Sequence, residues 1–110
     1  MTEHRLATEL WVAAYIRRAD GIGDPVVLSR RGDAVRGTVL LKINGFERGW
    51  RIVSQARDLN GELGWLPAPD ISTEDTAAAY VARSLKRDPD LWVVEVEDRD
   101  GRHPLDGRML

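Results

Sequence analysis

The feature that most constrains this chain is the stretch Asp88-Pro89-Asp90-Leu91-Trp92-Val93-Val94-Glu95-Val96-Glu97-Asp98-Arg99-Asp100-Gly101-Arg102-His103. Residues 91–97 read as one β-strand, with Trp92, Val94 and Val96 on one face and Leu91, Val93, Glu95 and Glu97 on the other. The first set is a core face. Pro89 ends whatever precedes the strand, and residues 98–101 turn the chain after it. Any fold for this sequence must therefore bury a short, sharply bounded strand.

Around that strand the chain supplies two helices and a strand cluster. Residues 3–18 predict a first helix capped by Thr2, with Glu3 in the first turn and an apolar stripe of Leu6, Leu10, Ala13 and Ala14. Ala7, Trp11 and Tyr15 widen that stripe, and Val12 and Ile16 lie beyond it, so a second covering surface is expected. The run 20–25 breaks the helix. Strands are expected at 26–30, 35–43 and 50–57, joined by a short hairpin at Arg31-Gly32-Asp33-Ala34 and a longer turn beginning at Asn44-Gly45. Alternation puts Val35, Gly37, Val39, Leu41 and Ile43 on one face with Trp50 and Ile52. Arg36, Leu40, Arg51, Val53 and Arg57 fall on the other.

Asn60-Gly61 marks a further turn, and Trp65-Leu66 a brief edge strand before Pro67 and Pro69. A second helix starts near Ser72, with Asp75 completing a capping box, and carries a narrow stripe of Ala77, Ala78, Val81 and Leu85 before it stops ahead of Pro89. Residues 102–105 are expected to return beside the principal strand. The predicted fold is α+β: a two-layer sandwich of an antiparallel sheet with both helices on one face, in chain order αβββαβ.

Composition sets the class of function. The 110 residues suit one domain, spanning 1–110 with a tail at 106–110 expected to fray, and burying roughly 65% of the surface of the unfolded chain. With no cysteine, a thiol nucleophile and a disulfide framework are excluded. No apolar run reaches the length of a membrane span, and residues 1–20 lack a signal peptide's apolar centre, so a cytoplasmic location is expected. Net charge is −2, from 16 basic and 18 acidic residues, which provides no global attraction to nucleic acid.

Three constellations could carry chemistry. Glu95 and Glu97 project from one strand face about 7 Å apart, and His103 follows, so these three are the candidate acid–base residues. Asp100 or Asp106 could orient the imidazole. Asp98 and Asp100 are the candidate metal ligands, although the loop lacks the remaining ligands of a calcium site, and the chain's only histidines are His4 and His103. Each has a plainer reading as a solvated strand carboxylate or a turn residue. Arg36, Arg51 and Arg57 are the candidate interaction residues, because arginine offers planar bidentate donors. No aromatic ladder accompanies them, which disfavours single-strand RNA binding. The glycines fit neither a P-loop nor a dinucleotide fingerprint, and no cofactor is expected.

The whole pattern resembles a known family. Leu6-x-x-x-Leu10-Trp11-Val12-x-Ala14-Tyr15-Ile16-Arg17-Arg18, Arg30-Arg31-Gly32-Asp33-Ala34, Ala79-Tyr80-Val81-Ala82-Arg83 and above all the segment 88–103 are similar to the small bacterial domain-of-unknown-function family 1491, common in alphaproteobacteria. The resemblance implies an intact domain and carries no catalytic role with it. The functional expectation is a non-catalytic cytoplasmic interaction or ligand-binding domain with an unidentified protein or small-molecule partner. Self-association as a homodimer is expected through the first helix or an outer Leu40/Val53 patch. The alternatives are a carboxylate- and His103-dependent hydrolase or metal enzyme, and a nucleic-acid binder using the sheet arginines.

Overall fold

The computed structural model describes residues 6–101, 103, 105 and 108–110. In chain order it runs α1 (Thr8–Gly21), β1 (Val26–Arg30), β2 (Val39–Asn44), a 3-10 turn at Phe46–Arg48, β3 (Trp50–Arg57), β4 (Leu63–Pro67), α2 (Glu74–Arg87), β5 (Trp92–Glu97) and β6 (Arg108–Met109). The strands make one sheet in the order β1-β5-β2-β3-β4-β6. The α+β class and the αβββαβ succession are present, with β4 and β6 extending the sheet. At the end of the chain β6 pairs with β4, and Leu110 N–H donates to the Trp65 carbonyl at 2.8 Å. The expected return strand at 102–105 and the start of the first helix at Thr2 and Glu3 fall partly or wholly outside the described residues.

The sheet is mixed, not wholly antiparallel. β5 runs parallel to β2 and antiparallel to β1, inserted between them. The expected hairpin at 31–34 is therefore a bridge across the end of β5. Its seat is built from close contacts. Asp33 N–H donates to the Asp90 carbonyl at 2.9 Å, Trp92 Nε1–H returns a bond to the Asp33 carbonyl at 2.7 Å, and Arg30 reaches the Pro89 carbonyl at 2.9 Å. Gly32 and Gly37 lie against the Trp92 ring and the Asp90 carbonyl, too close for any Cβ. The segment 88–92 is thus a platform for this loop, which accounts for its distinctive composition.

The helices cover opposite faces, which corrects the two-layer expectation. Val12 and Tyr15 of α1 pack with Val39, Leu41, Ile43, Val53, Trp65, Trp92, Val94 and Val96. Ala77 of α2 packs with Leu40, Ile52, Leu91 and Val93, joined by Trp50, Tyr80, Val81 and Leu85. Both sides of β2 and β5 are apolar because both are covered, and a strand buried on two faces needs an apolar run more than an alternation. Leu40 and Val53, expected as an outer patch, are each 1% exposed. They also lie on different faces. Asn44 pairs with Trp50 and Leu41 with Val53, so β3 is shifted by one residue from the expected register, and Trp50 and Ile52 join Leu40 instead of Leu41.

α1 begins at Thr8, and its buried stripe is Thr8, Val12, Tyr15 and Ala19, while Leu6 and Leu10 are exposed. Its N-terminal donors are met by the 34–37 loop: Glu9 N–H bonds the Ala34 carbonyl, and the Thr8 hydroxyl bonds the Gly37 carbonyl at 2.7 Å. α2 is capped by Thr73 and Thr76 reciprocally, not by Ser72 and Asp75. Its end ahead of Pro89 is as the sequence predicts.

Candidate functional site

The sheet separates the expected acid–base residues. Glu95 lies on the α2 side, paired with Lys42 at 3.3 Å, and Glu97, two residues on, shares that side and is exposed. His103 lies on the α1 side, where its ring meets Tyr15. His103 Nδ1–H donates to Asp24 Oδ2 at 2.6 Å, and Nε2 is hydrogen-bonded to the Tyr15 hydroxyl. The carboxylate orienting the imidazole is thus Asp24 from the loop after α1, where the sequence suggested Asp100 or Asp106; Asp106 lies outside the described residues. The imidazole is 1% exposed and walled in.

Asp98 is buried as a structural acceptor. Its Oδ1 receives His103 N–H at 3.2 Å, its own N–H bonds the Asn44 carbonyl, and Arg48 bonds its backbone carbonyl. Asp100 is exposed. Among the described residues no three His, Asp or Glu side chains converge as metal ligands.

Two of the three candidate arginines come together. A cleft of about 740 Å³ opens where the start of α1 passes over the 34–38 loop and the end of β3, lined among others by Leu6, Trp11, Arg36, Gln55, Arg57 and Leu63. Among the described residues none of its lining is acidic. Arg57 bonds the Gly61 carbonyl at 3.2 Å, and neither Arg36 nor Arg57 has a carboxylate partner among the described residues. Trp11 forms the rigid wall: it stacks on Tyr15 at 5.1 Å and 9°, and tilts against buried Trp65 at 5.8 Å. Behind the wall, Tyr15 is hydrogen-bonded to His103, which in turn bonds Asp24.

Arg51 stands apart. It shares a sheet face with Arg57 but sits six residues away, about 20 Å along the strand. There it lines a different cleft, of about 330 Å³, with Arg48 and Asp98 at the β2–β3 turn. Sequence reasoning missed Trp11 and Gln55 as cleft residues and Tyr15 and Asp24 as partners of His103. The spacing of Trp11 and Tyr15, one helical turn apart, is the signal that could have placed one aromatic against the other. Nothing local marks Asp24.

Comparison with known proteins sets this architecture in context. Among curated proteins, none matches the chain. The crystal structure of a DUF1491 family protein from Caulobacter crescentus CB15 superposes with a TM-score of 0.87 at 42% identity, covering 96% of this chain and 100% of that one. An NMR structure of a DUF1491 family protein from the same organism gives 0.84 at 41% identity, covering 98% and 99%. The solution structure of protein Atu0922 from A. tumefaciens, a structural-genomics target, shares the fold with a TM-score of 0.73 at 24% identity, covering 86% of each chain. The family model described as a protein of unknown function, DUF1491, matches residues 6–106, and the chain belongs to that family.

Proposed function

We propose that this protein is a non-catalytic, cytoplasmic binding domain whose cleft at the start of α1 holds a small organic anion with an apolar or aromatic part. The observation that carries this reading is that, among the described residues, Arg36 and Arg57 have no carboxylate partner and share with the stacked indole of Trp11 a cleft with no acidic lining. Guanidinium groups recognise carboxylates and phosphates through paired N–H donors, and an indole face adds apolar contact at little entropic cost. The cleft falls in the size range of small-molecule sites. A hydrolase using His103 is less favoured, because substrate would have to reach an imidazole that is 1% exposed. The nucleic-acid reading loses its contiguous strip once Arg51 is separated from Arg57.

The test is NMR titration of isotopically labelled protein with benzoate, phenyl phosphate and succinate. Shifts are expected at the Trp11 indole N–H and around Arg36 and Arg57, with the aromatic anions binding more tightly. Arg36→Gln and Arg57→Gln should each weaken binding about tenfold while leaving the unfolding midpoint in place. Absence of shifts at these residues in millimolar anion, or binding unchanged in the double variant, would overturn the assignment.

A further inference from the structure

Arg36 sits on the exposed connection between β1 and β2, outside any helix or strand, yet the peptide groups on both sides of it are held. The Thr8 hydroxyl donates to the Gly37 carbonyl at 2.7 Å, and Thr8 N–H donates to the Val35 carbonyl at 3.3 Å, so one residue of α1 grips the chain before and after Arg36. From within the loop, Asp33 Oδ2 accepts from Arg36 N–H at 2.8 Å and from Val35 N–H at 3.2 Å, and the Asp33 carbonyl accepts from Gly37 N–H at 3.2 Å. Gly37 itself is wedged against the Asp90 carbonyl and the Trp92 ring. A helix start needs acceptors for its own N–H groups, but the Thr8 hydroxyl is a buried donor spent on the loop. The Asp33 carboxylate is the wrong charge to assist an anion, so what it can offer the cleft is its acceptor oxygen.

We infer that Thr8 and Asp33 are positioning residues for the cleft, fixing the backbone on both sides of Arg36 before a ligand arrives. This inference rests on the anion-binding reading and adds to it the residues that make Arg36 effective. A loop that ordered its backbone only on binding would lose that conformational freedom at the expense of affinity, and a loop fixed in advance leaves only the Arg36 side chain to be ordered. Arg57 is restrained differently, through its guanidinium on the Gly61 carbonyl at 3.2 Å. The two cations of the cleft are thus placed by separate devices, and Thr8 acts on Arg36 alone.

The experiment combines ¹⁵N relaxation of the unliganded protein with NMR titration by phenyl phosphate. Wild-type order parameters at Val35, Arg36 and Gly37 should be about 0.85, and Thr8→Val, close in shape but without the donor, should lower them toward about 0.6. Thr8→Val should also raise the dissociation constant about three- to tenfold, and Thr8→Ser should restore both readouts. In an Arg36→Gln background Thr8→Val should change affinity by less than about twofold, because nothing is left for it to position; a merely structural loss would be the same in both backgrounds. Asp33→Ala and Asp33→Asn remove the same charge and differ in the acceptor, so Asp33→Ala should bind about threefold more weakly than Asp33→Asn. Should Thr8→Val fail to fold, that pair decides. Wild-type binding with Thr8→Val unchanged, an equal loss in the Arg36→Gln background, or equal binding by the two Asp33 variants overturns this inference alone. A wild-type protein that binds no anion overturns the reading of the cleft and this inference with it.

Discussion

Gly32→Ala offers the sharpest test of the architecture, because it asks whether the 31–38 loop really bridges the end of β5. The φ of Gly32 lies outside the left-handed region, so its requirement for glycine is spatial. A Cβ there would sit 2.7 Å from the Leu91 carbonyl carbon and from Trp92 Cδ1, and closer still to the Asp90 oxygen. Two of these are backbone atoms at the entrance to the most buried strand, and the indole is 1% exposed, so none can swing aside. Overpacking of this kind costs about 1–3 kcal/mol. The loop must also lift, which breaks the Asp33 to Asp90 and Trp92 to Asp33 bonds, each worth about 1 kcal/mol net. The sum is about 3–5 kcal/mol. At about 4 °C per kcal/mol for a domain of this size, the thermal midpoint should fall by roughly 12–20 °C, measured by calorimetry. Gly21→Ala is the control: no atom lies within 4 Å of its added Cβ, and the helix end should be unchanged or stabilised by up to about 1 kcal/mol. Equal midpoints for the two variants would refute the reasoning, and with it the seating of the loop on Trp92.

Two other perturbations probe the interior behind the cleft and the pH response. Tyr15→Phe removes the hydroxyl on His103 Nε2 and leaves a buried ring nitrogen unpaired, so urea unfolding should show a loss of about 1–3 kcal/mol; a loss below about 0.5 kcal/mol would mean the trio is not formed. Asp58 is held below its ordinary carboxyl value of 3.8, chiefly by the Glu62 N–H, against some desolvation, with Asn60 N–H and Arg108 adding to the effect. Its folded-state value is depressed, so its contribution is fully present above 3.8 and fades as pH falls from there through the folded value. Asp58→Asn should therefore flatten the acid limb of stability measured by urea unfolding, and an unchanged slope between about pH 2 and pH 6 would count against it.

What could be seen in the sequence, and what could not, follows the range of the interactions involved. α2 and β5 are legible almost to the residue, because a helical stripe, a proline and a turn are written in consecutive positions. The register of β2 on β3 is not, since Leu40 and Leu41 are both apolar and alternation cannot choose between two covered faces. The same pair held the missed clue: adjacent apolar residues in β2 and again in Val93-Val94 call for cover on both sides, and hence for helices on opposite faces. β5 entering between β1 and β2 joins segments some sixty residues apart, and no local turn signal encodes that; a tight Arg-Gly-Asp connection serves a bridge as well as a hairpin. His103 illustrates the same limit within a site. Its own segment offered Asp100 and Asp106, yet the imidazole is held by Asp24 and Tyr15, 79 and 88 positions away. Arg36 and Arg57 could be named from their chemistry, but their meeting at Trp11 depends on the 34–37 loop binding the first turn of α1. The cleft is a product of that non-local contact, so a change that unseats the loop from Trp92 should disturb the proposed anion binding as well as stability, linking the platform at 88–92 to the cleft at the other end of the loop.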